Sequence, residues 1–144
     1  MRYWDSSALV PLLIEESASR ACRDLLRRDP TVTTWILTRL EAWTACCRRR
    51  RAGILGAAGL ETARRRLSRF ADKWQEIADI PAVRSGAQHL VEVHDLRAAD
   101  AAQLAAARVA FGAKVKDRAF VCLDERLAAA AAAEGFAVIR PAVA

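Results

Sequence analysis

The sequence predicts an α/β protein, with a parallel sheet of about four to five short strands sandwiched between helices. Two observations carry this expectation. Short β-branched or aromatic runs recur along the 144 residues, and longer segments with apolar residues at helical spacing separate them. Strands joined through helices run parallel, since each crossover returns the chain to the same edge of the sheet. The length suits one core, and neither a linker nor a repeat is evident, so residues 1–144 are expected to form a single domain.

Residues 2–5 are the first predicted strand, because the aromatic pair Tyr3-Trp4 suits a pleated surface. Asp5-Ser6-Ser7 suits a helix start, where short oxygen-bearing side chains accept from free backbone N–H groups. Ala8, Leu9, Leu12 and Leu13 continue at helical spacing over about 6–15. A second helix over 18–28 stops at Asp29-Pro30, and TVTTW at 31–35 reads as a strand. The pattern is helical from Ile36 to about Arg51, with Ile36, Leu40, Trp43 and Cys47 as its apolar stripe. A long helix is expected over 59–78, since Leu60, Ala63, Leu67, Phe70, Trp74 and Ile77 recur three and four apart. Helices follow over about 81–93 and 98–111. AFVCL at 119–123 is a strand, the alanine run to Glu134-Gly135 a helix, and FAVI at 136–139 the last strand.

MRYWDSS has no apolar segment behind a basic start, and no apolar run approaches the roughly 20 residues that span a bilayer. A soluble cytoplasmic protein without a membrane partner is expected. The four cysteines form no CxxC, and His89 and His94 miss the four-residue spacing of ligands on one helix face, so a Cys/His zinc site is not supported. Buried small hydrophobes are the better reading of the thiols. The net charge of +6 comes mostly from arginine, whose guanidinium fork suits phosphate, and this points to an anionic partner with nucleic acid first. Arg65, Arg69 and Lys73 form a basic stripe beside Arg64 and Arg66. It is a candidate RNA contact or a solvated face.

Four acids stand out. Asp5 follows the first strand, Asp124 follows AFVCL, and Asp100 lies in the first turn of its helix, so each could simply cap a helix. Glu41 lies within a helix, and no basic residue stands three or four positions away. In α/β sheets, ligands gather outside the carboxyl ends of the strands. Four acids on four elements of a basic chain look less like coincidence than any one alone.

YWDSSALVPLL, TRLEAWTA, LRAADAAQLAAA and FVCLDERLAAAAAAEGFAVI, in this order, resemble the PIN-domain ribonucleases, most of all the VapC-type toxins of toxin–antitoxin pairs. The resemblance spans nearly the whole chain. It implies a PIN-like three-layer α/β/α fold and cleavage of RNA with Mg²⁺ or Mn²⁺. It assigns Asp5, Glu41, Asp100 and Asp124 as catalytic acids, with Asp5, Asp100 and Asp124 holding the metal and Ser6 and Ser7 in support. It also implies a cognate antitoxin and a homodimer. Near Asp124 the chain has Cys122 and Leu123 where the family often has a hydroxyl.

The residue types suit that chemistry. Hard divalent ions prefer oxygen ligands, and Mg²⁺ takes a few carboxylates while keeping several waters. Two carboxylates about 5 Å apart repel by roughly 3 kcal/mol at an effective dielectric near 20, so a cluster of four calls for a cation or protons. Two other readings compete. A phosphoacceptor receiver domain also gathers acids at strand ends, but TVTTW ends without an acid and no lysine follows AFVCL. A PIN-like module that binds RNA or protein without catalysis is the second.

Overall fold

The computed structural model describes residues 1–144. In chain order the elements are β1 (Arg2–Trp4), α1 (Ser6–Leu13), α2 (Ser19–Arg28), β2 (Val32–Trp35), α3 (Thr38–Arg51) and α4 (Ala57–Ala71). They continue as β3 (Gln75–Ile77), α5 (Ile80–Val93), α6 (Ala98–Phe111), β4 (Ala119–Val121), α7 (Glu125–Ala133) and β5 (Ala137–Ile139). The five strands form one all-parallel sheet in the order β3-β2-β1-β4-β5. The protein is a three-layer α/β/α sandwich.

Strand alternation builds the two cores. Tyr3 and Phe120 pair across β1 and β4 and stack with ring centroids 5.3 Å apart, among the apolar side chains of α5, α6 and α7. Trp4 and Val121, the next residues along, face the other way and pack with α1, α2, α3 and α4. Both core strands are therefore buried on both faces, as a central parallel sheet requires.

The sheet grows in both directions from β1, and this positions the site. β1 is followed by α1 on one face, whereas β4 is followed by α7 on the other. The chain thus diverges between the carboxyl ends of β1 and β4, the place where such sheets open a crevice. Asp5, the residue after β1, caps α1, and Asp124, three residues beyond β4, caps α7.

Two elements differ from their sequence patterns. The expected helix over 59–78 ends at Ala71, and Gln75–Ile77 is a fifth strand on the sheet edge. A turn closes the helix, with Asp72 N–H donating to Ser68 O and Lys73 N–H to Phe70 O. Trp74 fills the core, and Gln75, Glu76 and Ile77 then pair with Thr33, Thr34 and Trp35. Trp74 and Ile77 keep helical spacing only by coincidence. In α3 the buried side chains are Thr38, Ala42 and Cys46, while Leu40 is 61% exposed. The helix packs against both α1 and α4, and close approach selects small residues over the expected stripe through Leu40 and Trp43.

Cys22, Cys46 and Cys122 are buried and Cys47 partly so, with no disulfide among them. Burial pushes the Cys22 thiol up to about 11 and Cys122 to about 12, which leaves them inert apolar fillers. No helix is long and apolar enough to cross a membrane.

Candidate active site

Asp5 is only 3% exposed. Its backbone N–H donates to Val121 O at 2.9 Å, so the sheet fixes its Cα. Its side chain caps α1, with Oδ2 accepting from the N–H and the hydroxyl of Ser7. The Ser7 hydroxyl in turn accepts from Leu123 N–H at 2.9 Å. One serine thus ties the end of β1 to the loop that carries Asp124. It supplies from α1 a hydroxyl near Asp124, where Cys122 and Leu123 supply none.

Glu41 sits nearer the helix start than its pattern suggests, because α3 begins at Thr38. Its carboxylate nevertheless caps no backbone. Oε2 accepts from the Ser6 hydroxyl at 3.1 Å, and Oε1 accepts from Gln103 Nε2 at 3.2 Å. Asp100 lies in the first turn of α6. Asp124 caps α7, its Oδ1 accepting from Leu127 N–H at 2.8 Å.

The electrostatics tie these groups together. Burial first, and then Asp100, push the Asp5 carboxyl up to about 6, although the Ser7 hydrogen bonds pull it down. Burial and then the Asp5 charge raise Glu41 to about 7, against the Gln103 hydrogen bond. Asp100 is raised by burial and by Asp124, while Arg97 and Arg126 draw it back. None of the four carboxylates forms an ion pair.

Asp100 and Asp124 line a cleft of about 510 Å³ with Arg97, Leu123, Glu125 and Arg126. Asp5 and Glu41 are not in its wall but interact with Asp100 through their charges. The acids do not form a ready-made cage, since no three His, Cys, Asp or Glu side chains are grouped closely enough to hold one ion. Three of the four are held by their own donors: Ser7 for Asp5, Ser6 and Gln103 for Glu41, and Leu127 for Asp124. Like charges have no reason to close on each other alone.

The basic stripe falls outside this crevice. Arg65 is exposed and stands 3.6 Å from Glu61. Arg69 and Lys73 line a separate groove with Arg23, Arg27 and Arg66, reaching Leu12 in the last turn of α1. Lys73 lies beyond the end of α4. The acids meet α1 at its first turn, about 10 Å away along an eight-residue helix.

Sequence patterns missed Gln103, Tyr3, Arg97 and Arg126. Gln103 carried a usable signal: it stands three residues after Asp100, on the same helix face, alone among alanines and leucine. No known family model matches the chain, and no curated protein matches it.

Proposed function

We propose that the protein is a metal-dependent endoribonuclease of the PIN type, the toxin of a toxin–antitoxin pair. One observation carries the reading. In a chain with 23 Lys and Arg, four acids at or near the crevice between β1 and β4 have no ion pair, and the most buried of them is almost wholly desolvated. An all-oxygen donor set of this kind suits a hard divalent cation, which needs only one or two carboxylates and otherwise keeps its waters. The absence of a tight protein cage is compatible with that habit.

Of Asp5, Asp100 and Asp124, one or two at a time would hold Mg²⁺ or Mn²⁺, with water completing the shell. Bound there, such an ion supplies a more acidic water and neutralises charge on the phosphate. Ser7 keeps Asp5 and the Asp124 loop in register. Ser6 and Gln103 orient Glu41, whose carboxyl titrates near neutrality and can accept a proton from water at an Oε atom. Arg97 and Arg126, at the same cleft, suit phosphates flanking the scissile one. A cognate antitoxin and a homodimer belong to the same proposal and follow from the resemblance in the four motifs, and a cytoplasmic location goes with it.

The open spacing of the acids favours a second reading, a module that binds RNA or protein without cleaving. Incubation of the purified protein, free of any antitoxin, with structured RNA separates the two. Cleavage should vanish in EDTA and return with Mn²⁺. Equal cleavage in EDTA would contradict metal dependence, and binding without cleavage at saturating Mn²⁺ would favour the module.

A further inference from the structure

Gln103 is fully buried in a helix whose other buried residues are all apolar: Ala101, Leu104, Ala105, Ala106, Ala107 and Phe111. Burying an amide is costly unless its hydrogen bonds are made. Here they are made in one direction. Gln103 Oε1 accepts from the Tyr3 hydroxyl at 2.7 Å, and Nε2 donates to Thr38 Oγ1 at 2.9 Å and to Glu41 Oε1 at 3.2 Å. When Glu41 is ionised its carboxylate can only accept, so the amide nitrogen then faces Glu41 and the amide oxygen faces the Tyr3 hydroxyl. Tyr3 is itself immobile, stacked on Phe120 in the sheet. Thr38 is steadied by the Thr34 hydroxyl, 2.7 Å away.

We infer that Gln103 is a positioning residue, whose amide, braced by the Tyr3 hydroxyl, sets the orientation of the Glu41 carboxylate for accepting a proton during cleavage. This inference rests on the ribonuclease reading and deepens it. Ser6 holds the other Glu41 oxygen, so the carboxylate is clamped between α1 and α6. Asp100 lies on the same side of α6, three residues earlier. One helix therefore sets both a proposed metal ligand and the plane of the acid opposite it.

The test compares the wild type with Gln103→Met, which keeps the chain length without the amide, and Tyr3→Phe, which keeps the ring without the hydroxyl. Three quantities are measured: melting temperature with and without Mn²⁺, the Mn²⁺ dissociation constant by calorimetry, and kcat and KM on an RNA hairpin. Outer hydrogen-bond partners of metal sites typically contribute about 10–100-fold to affinity or activity. Gln103→Met should therefore lower kcat by about 10–100-fold with little change in KM, with a smaller loss of Mn²⁺ affinity through the shared crevice. Tyr3→Phe should act in the same direction and less, since it removes the brace on the amide and leaves the amide itself.

A purely structural role would lower the melting temperature equally with and without Mn²⁺ and leave kcat and Mn²⁺ affinity unchanged, and that result overturns the inference. Should Gln103→Met fail to fold, Tyr3→Phe decides by the same criteria. A wild type that neither binds Mn²⁺ nor cleaves RNA overturns the ribonuclease reading, and the inference falls with it. A functional wild type with unaffected variants overturns the inference alone.

Discussion

Two corners of the molecule treat carboxylates in opposite ways. Where α5, α6 and α7 end together, Glu134 accepts from Arg108 at 3.1 Å and lies 2.7 Å from His94 Nε2. Glu16 is likewise paired with Arg49, and Glu15 with Arg23. At the carboxyl ends of β1 and β4, Asp5 is more buried than any of these, yet its donors are a serine hydroxyl and backbone N–H groups. Glu41 has a serine and an amide. The first corner serves stability, since its charges are already matched. The second carries unmatched charge at neutral pH, which is useful only if something cationic or a proton arrives.

Substitutions at the two corners should separate these roles most sharply in activity. Glu41→Gln is expected to lower RNA cleavage by about 10²–10⁴-fold, the usual contribution of a positioned proton acceptor. Glu134→Gln is expected to leave cleavage within about twofold, because it lies far from the reacting groups. Equal losses at both positions, measured as kcat/KM on one hairpin substrate, would erase the distinction.

The pH dependence of stability follows from the same contrast. A carboxyl raised in the folded state retains its proton there while the unfolded chain ionises. Stability is therefore fully present below the unfolded pKa and is lost as pH rises towards the folded one. For Asp5 that window runs from 3.8 to about 6, and for Glu41 from 4.5 to about 7. Asp5 alone corresponds to about 3 kcal/mol. Metal-free protein should resist urea better at pH 5 than at pH 8, with Mn²⁺ closing part of the gap at pH 8. Greater metal-free stability at pH 8 would show that these acids are not strained by burial.

The smallest effects belong to the outer charges. Glu134→Ala should destabilise by about 1 kcal/mol in urea unfolding, since its partners remain partly solvated. Removing Arg97 and Arg126 together should flatten the dependence of log RNA affinity on log salt by about 1–1.5. Removing Arg65, Arg69 and Lys73 should weaken RNA binding only if RNA extends to the second groove. An unaltered slope there would mark that surface as solvated or facing a protein.

Much of this architecture can be read from local pattern, and the exceptions have physical causes. Tyr3-Trp4 and AFVCL show themselves as strands because a central parallel strand is apolar on both faces. Gln75–Ile77 escapes because an edge strand can be polar and exposed, and Trp74 and Ile77 continue the helical spacing of α4 by chance. Around α3, Ile36, Leu40, Trp43 and Cys47 dominate the pattern, yet close packing chose Ala42 and Cys46. Asp5 and Asp124 are visible because strand ends and helix starts coincide in the sequence. The brace from Tyr3 to Gln103 is not, since its two residues lie 100 positions apart and no local spacing reports such a contact.

The central claim is that Asp5 is placed to hold a cation and not merely to cap α1. Asn caps a helix about as well as Asp, so Asp5→Asn preserves the cap and removes the buried charge. The decisive measurement is the melting temperature of wild type and Asp5→Asn at pH 8, each with and without millimolar Mn²⁺. Without metal, the mutant should melt at the same temperature or higher, because a raised, desolvated carboxylate has been neutralised. With Mn²⁺, the wild type should gain more than the mutant, since a ligand bound only by the folded state stabilises it by mass action. A mutant with the full Mn²⁺-induced gain would return Asp5 to the role of a cap.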